Sequence, residues 1–593
     1  MATIQWASGV SGHWETAADW SGGTVPGAGD DVIIDAPGTY GVTIKTREAA
    51  DSLTINDAKA TVFCKNPLTI GGTLTVAAGK FDVDGNSPVS GGIIGGTLRA
   101  TGGEFLWNGG FLSGVTYEGT LDLSAPSALI ISDGLKVTGA DGTGPGVINL
   151  TGAGSTLYIG DTETLDNATL NIGGAGGDSF GFEESPNSLL TLGDHFNIVQ
   201  VGPSARIIDG FANSQGIVND GAITAAFANG VLQIAQVNFT NNGSIAIGNG
   251  ATFDIESTLA KVPRTFTNSA GGAITVGNGS TLTAEGTIAN AGSIALESAG
   301  SRTELILEAD TTFAGGGSVT LSANAANRIV GARASYVLTN TDNTISGSGA
   351  LGGGMLTLVN AAGGIIDAEG KPGLAINTGS NTISNAGLIE TTERGAGTIA
   401  SPVDNTGTIE VDGGALTLKA VVSGSGTVAI AAGTLDIANA NAAEAVGFTG
   451  KGGELELAQS QSFTGSVSGF AMTGRTSLDL RDIGFVSPGE ASYNGATGIL
   501  TVTDGIHTAN IALVGNYGGT IFTAGSDKHG GTSIVDKAAS GATLAAPATT
   551  AAGHRFIAAM AGVSAVSASP VHTVAETWRA SASVLATPRV NIA

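Results

Sequence analysis

Carboxylates are the side chains of this sequence best placed to do chemistry. Gly173-Gly-Ala-Gly-Gly-Asp178-Ser-Phe180-Gly matches one copy of the nonapeptide Gly-Gly-x-Gly-x-Asp-x-U-x, and Glu183 and Glu184 follow closely. Tandem copies of that nonapeptide hold calcium between turns of a β-coil. Asp30, Asp31 and Asp35 flank Val-Ile-Ile and offer a second set of hard oxygen ligands. Glu304 with Glu308 and Asp310, and Glu390 with Glu393 and Arg394, are paired acids of the kind that glycosidases set across a groove. Each group also has a plainer reading. One nonapeptide supplies half a calcium site, so it reads as a glycine-rich loop. Aspartates at strand ends are ordinary turn residues. Neither glutamate cluster carries an Asp-Asp or Gly-His-Gly pattern, and 6 His with 5% aromatics are poor material for a sugar cleft. Asp178, Glu183, Asp30 and Asp31 therefore stand as calcium candidates. No catalytic residue and no other cofactor are expected, and the chain is read as no enzyme.

Aromatic chemistry concentrates at the start. Trp6, Trp14 and Trp20 are three of 5 tryptophans, within Trp6-Ala-Ser-Gly-Val-Ser-Gly-His-Trp-Glu-Thr-Ala-Ala-Asp-Trp20. Indole faces could stack on sugar rings and bind a carbohydrate. The competing reading is a cap, because the first layer of a stacked fold exposes an apolar cross-section that something must cover. The cap is preferred. The one cysteine, Cys64, lies in the β-like run Thr61-Val-Phe-Cys and is read as a small buried hydrophobe.

The elements that must carry these residues come from a repeat. Asn242-Gly-Ser-Ile-Ala-Ile-Gly-Asn-Gly-Ala-Thr-Phe-Asp-Ile255 is two short apolar strands around a Gly/Asn turn. Variants open at Asn219, Asn268, Asn290, Asn360, Asn385 and Asn405. Spacings of roughly 20 to 26 residues signal a solenoid. Each copy is too small to bury its own apolar face and must stack on the next. Upstream, Val42-Thr-Ile44, Ser52-Leu-Thr-Ile55, Thr120-Leu-Asp-Leu123 and Thr169-Leu-Asn-Ile172 have the short alternating form of β-helix faces. The fold class expected is all-β: a right-handed parallel β-helix, with an N-terminal aromatic cap over 1–40, a coil over 41–460, a small C-terminal β module over 461–536 and a mobile tail over 537–593. About twenty rungs at ~4.8 Å each would extend on the order of 100 Å. The segments 299–312 and 324–345 are expected to be side loops, and Asp504-Gly505 a hairpin turn.

Composition limits the partners. A net charge of -26, from 50 Asp+Glu against 24 Lys+Arg, repels nucleic acid and anionic membrane surfaces. No apolar run is long enough to span a bilayer. The first residues show neither a basic nor an apolar export segment.

Two segments resemble known proteins. Gly12-His-Trp14, Trp20-Ser-Gly-Gly-Thr-Val-Pro26 and Asp30-Asp31-Val-Ile-Ile resemble the opening of large bacterial β-strand-repeat, adhesin-like proteins. Leu478-Asp-Leu-Arg-Asp-Ile, Leu500-Thr-Val-Thr-Asp-Gly-Ile-His-Thr-Ala-Asn-Ile-Ala-Leu-Val-Gly-Asn-Tyr517 and Ser526-Asp-Lys-His-Gly-Gly-Thr532 resemble the C-terminal module of secreted alphaproteobacterial calcium-repeat (RTX-like) proteins. That resemblance implies export by a type I secretion system through an uncleaved C-terminal signal. It implies an extracellular or cell-surface location and a structural or adhesive role in adhesion, biofilm matrix or surface layer. The partners implied are a surface polysaccharide or receptor, the type I machinery and further copies of the chain. Tandem nonapeptides are missing, so calcium-driven folding does not carry over. The alternative is a secreted carbohydrate-active β-helix enzyme, a polysaccharide lyase or hydrolase.

Overall fold

The computed structural model describes residues 2–85, 90–182, 187–208, 216–235, 238–256, 258–259, 262–263, 265–439 and 445–538. Glu183, Glu184 and 539–593 of the tail expected to carry an export signal lie outside the described residues, while Lys537 and Ala538, expected to begin that tail, end the last strand. Between Thr3 and Leu480 short strands pair in parallel with the strand one turn later, forming a β-solenoid of about 18 turns.

Alternation along each strand sets this architecture. Successive side chains point to opposite faces, and Ser244–Ile247 reads exposed, buried, exposed, buried. Its buried Ile245 stacks between Ile223 and Ile274 in the neighbouring turns. The same column continues through Ile294, Val319, Ile345, Ile366, Ile389 and Ile409 to Val467 and Leu513. Every one of these β-branched or leucine side chains is at most 6% exposed. Full burial of such a side chain is worth about 1.5–3 kcal/mol. No single turn could realise that gain without its neighbours.

A second column is polar. The repeating asparagine that stays in register is Asn241, one residue before the Asn-Gly turn at Asn242. Asn219, Asn241, Asn268 and Asn290 occupy successive turns, and each is fully buried. Each Nδ2 donates to the next Oδ1 at 2.8–2.9 Å. The following turn, Ala314-Gly-Gly-Gly317, has no asparagine. Asn343 fills the gap by accepting at 2.7 Å from Asn290 Nδ2. Its backbone N–H donates to Asn340 Oδ1, which restarts the series through Asn360, Asn385 and Asn405.

The segments expected to be side loops are coil. Thr303–Ala314, Asn327–Gly331 and Val337–Asn340 are strands in the stack. Leu305, Leu307, Phe313, Ile329 and Leu338 supply their buried positions. Charged neighbours disguised this alternation in Glu304-Leu-Ile-Leu-Glu308. Phe105 and Trp107 of one turn pack with Tyr117 of the next, with rings 5.5–6.0 Å apart.

At the C-terminal end the direction changes. Thr473–Leu480 pairs antiparallel with Thr532–Ala538, which pairs with Thr520–Ser526. Ser466–Ser468 runs parallel to Thr508–Val514, itself in a hairpin with Ile499–Thr503. The turn of that hairpin spans Asp504 to His507. Asp504 holds it through its Oδ1, which accepts from the N–H groups of Ile506 and His507.

The asparagine column generates a paired prediction. Replacing Asn241 by Ala strips a partner from Asn219 Nδ2 and from Asn268 Oδ1, and the expected loss is about 2–4 kcal/mol. Replacing exposed Asn242, whose Nδ2 meets Asp220 at the surface, should change stability by less than about 0.5 kcal/mol. Urea unfolding of both variants checks this; equal losses would show that the ladder contributes nothing specific.

Candidate functional site

The expected site residues take structural places. Trp14 is 0% exposed, Trp20 2% and Trp6 3%. Trp20 packs edge-on against both other indoles at 4.8–4.9 Å, and its Nε1 donates to Trp14 O. The rings cover the first turn and offer no open face on which a sugar could stack. Gly12 completes this packing, because a Cβ there would meet Asp19 Oδ2 at 2.4 Å and Trp6 at 3.0 Å.

Asp30 accepts from the N–H groups of Ala2 and Gly27, so it pins the entry to the first strand. Asp31 accepts from Ser52 Oγ in the next turn. Asp178, fully buried, accepts from Ser155 N in the preceding turn at 2.9 Å, and burial raises its pKa. Phe180 of the nonapeptide-like stretch lies in the core. Asp178 and the Asp30/Asp31 pair belong to different turns and are not brought together. Cys64 is buried, and desolvation pushes its thiol up to about 12.

The paired acids do not face one another across a groove. Glu304 is held by Arg302 and Arg328, and Asp310 accepts from Val337 N. Glu390 stacks in register between Asp367 and Glu410 on one face of one sheet. Burial, then the neighbouring carboxylates of Asp367, Glu410 and Asp412, push Glu390 up to about 7. Asp367 and Glu410 are raised for the same leading reason.

A site that linear reasoning missed lies where the coil meets the C-terminal module. Asp436, Glu456 and Asp479 oppose one another on three successive strands, and Thr434, Glu454 and Ser477 form the parallel column two residues away. The last strand continues antiparallel, placing Ser533 opposite Asp479. The loop Ser526–Thr532 closes the far wall. Asp527 Oδ1 accepts from His529 N and Gly531 N. Thr532 Oγ1 donates to Glu490 Oε1 at 2.9 Å, tying the loop to the turn at Ser487. Gly531 is required, since a Cβ there would sit 2.7 Å from Leu480 O.

The cleft so enclosed measures about 900 Å³. Its walls are Thr434, Glu454, Glu456, Asp479 and Ser533 on one side, with Asp527, Lys528 and His529 on the other. Glu456 is neutralised by Arg481, and Glu454 accepts from Ser477 Oγ at 3.1 Å. Asp479 has no such support. It is 8% exposed and its Oδ1 has no hydrogen-bond partner. Burial, then the carboxylates of Asp527 and Glu454, push it up to about 6.

One further cluster is drawn tight among the described residues. Asp166, Asp194 and His195 bring their ligand atoms within 4.8 Å of one another, and all three are exposed. His195 Nδ1 lies 2.7 Å from Asp194 and 3.6 Å from Asp166. No helix among the described residues is long and apolar enough to cross a membrane. No family model, curated protein or solved structure matches the chain.

The carboxylate column generates a pH prediction. A carboxyl raised in the folded state binds its proton more tightly there than in the unfolded chain. Its stabilising contribution is therefore complete below the unfolded value of 4.5 for Glu390 and is lost as pH rises through about 7. Thermal unfolding should give a higher Tm at pH 5 than at pH 8, and Glu390→Gln should narrow that difference by raising the pH 8 value. A Tm that climbs from pH 5 to pH 8 would falsify this.

Proposed function

We propose that this chain is an extracellular or cell-surface β-solenoid with a structural, adhesive role. A continuous core column running from the first third of the chain to the C-terminal module supports this reading best. A coil whose apolar interior never opens is a stiff support on which surface chemistry is displayed. Its outward positions are Thr, Ser, Asn and Asp, suited to contacts with a hydrated polysaccharide or surface receptor. Acids such as Asp367, Glu390 and Glu410 lie stacked along one sheet face, an arrangement that spaces charge along the coil. Net charge of -26 keeps such an apolar-cored assembly soluble. The route proposed is type I export, with 537–593 as the address.

The rival reading, a carbohydrate-active β-helix enzyme, would have to use the acids of the C-terminal cleft. Two assays separate the readings. Deleting 537–593 should leave the truncated chain inside the producing cell while the full chain appears in the medium; undiminished export removes the secretion argument. Purified full chain should release no reducing ends and no unsaturated uronate from acidic and neutral polysaccharides while still binding one of them. Turnover abolished by Asp479→Asn would establish the enzyme instead.

A further inference from the structure

Asp479 presents an energetic problem that the fold leaves unsolved. A carboxylate removed from water is expected to be paired or hydrogen-bonded, and leaving one of its oxygens unsatisfied is costly. Here the neighbouring acid, Glu456, takes Arg481. The carboxylates of Asp527 and Glu454 make the surroundings of Asp479 more negative, and His529 offsets only part of this. All of this faces a cleft of about 900 Å³, within the range of small-molecule sites. Basic side chains line the cleft at Arg481, Lys528 and His529, but none hydrogen-bonds Asp479 Oδ1, and a cationic ligand group could.

Three classes of cation can be weighed against the geometry. A bare calcium ion needs oxygen ligands at about 2.3–2.6 Å, which holds them within about 5 Å of one another. Among the described residues, the trio drawn that close is Asp166, Asp194 and His195, and no cleft acid belongs to it. The cleft is also far larger than an ion. A lysine side chain carries a four-carbon stem that seeks apolar cover, and the cleft is lined entirely by polar and charged side chains. An ammonium group on a compact hydroxylated frame meets both demands. Its three N–H donors can reach Asp479, while hydroxyls on the frame can meet Thr434, Ser526 and Ser533 from one side and the donors of Lys528 and His529 from the rim. With no Phe, Tyr or Trp in the lining, recognition rests on these polar contacts.

We propose that the cleft between the last turns of the coil and the Ser526–Thr532 loop binds an amino sugar through its free ammonium group, with Asp479 as the anchoring anion. The coil contributes the anion and the C-terminal hairpin contributes the loop, so the ligand also bridges the two. The inference stands on the cleft alone. A failed export experiment would leave it intact, and failed binding here would leave the scaffold reading intact.

The test is calorimetric titration of the purified full chain at pH 7 with a tetramer of β-1,4-linked glucosamine. Parallel titrations use its fully N-acetylated counterpart, trilysine and calcium chloride. The expected result is binding of the free amine at least tenfold tighter than of the acetylated tetramer or trilysine. Asp479→Asn, which removes a buried charge and should fold, is expected to weaken that binding at least tenfold; an unchanged Tm or an increase verifies its fold. Glu304→Gln, outside the cleft, should bind as the parent does. The proposal is overturned by no binding of the free amine, by equal binding of the acetylated tetramer, by tighter binding of trilysine, or by an Asp479-dependent response to calcium in place of the sugar.

Discussion

In-register parallel stacking is the constraint on which the rest of this structure depends. Each turn contributes only a few buried side chains, and those are buried by the turns before and after. The isoleucine column through Ile223, Ile245, Ile274 and Ile294 shows the requirement directly. A slip of one residue in any turn would turn Ile outward and Ser or Ala inward along that strand. Apolar burial alone tolerates some displacement along the strand. The asparagine column does not, because each amide must meet the next at 2.7–3.0 Å inside the core. Hydrophobic stacking thus supplies most of the stabilisation, and the amide ladder fixes the register.

The same constraint explains where charge can go. A residue placed outward on one strand has an outward neighbour 20 to 30 positions away in each adjacent turn. Acidic residues recurring at that spacing become columns, as in Asp367, Glu390 and Glu410. Partial burial, and for Glu390 also the carboxylates of Asp367 and Glu410 beside it, favours the protonated form. Glu456 finds its cation outside its own column, in Arg481 just past the end of the next strand. Asp479 is the member left over at the end, where the coil stops and the antiparallel module begins. The break in repeat symmetry is what opens a cleft there.

Ends are the costly part of any solenoid, since the last layer has no neighbour. The two ends solve this differently. At the start, three indoles fold across the first turn and pack against one another. At the finish, two hairpins extend the sheets with strands of opposite direction and bury Tyr517 and Phe522 against Phe470. The second solution leaves a lined opening.

Much of this was legible in the residues themselves. Alternation of Ile, Leu and Val with Thr and Ser, closed by Gly and Asn every 20 to 26 residues, dictates stacked strands because no other arrangement buries so little apolar surface per unit. The tryptophan cluster marked the capped end, and Asp504-Gly505 marked a hairpin. The sequence also singled out Leu478-Asp-Leu-Arg and Ser526-Asp-Lys-His-Gly-Gly, but by resemblance and as separate strings. Their meeting was decided by the tertiary structure, through an antiparallel pairing that lays Ser533 against Asp479 across more than fifty residues. Whether a carboxylate finds a partner depends on which turn ends beside it, and local sequence carries no record of that. Asp178 anchors the turn before it through Ser155, and Asp479, in an ordinary strand string, is left with an unpartnered Oδ1 facing a cleft. The difference is a matter of neighbours in space, which repeat spacing fixes within the coil and only the folded end-piece fixes beyond it.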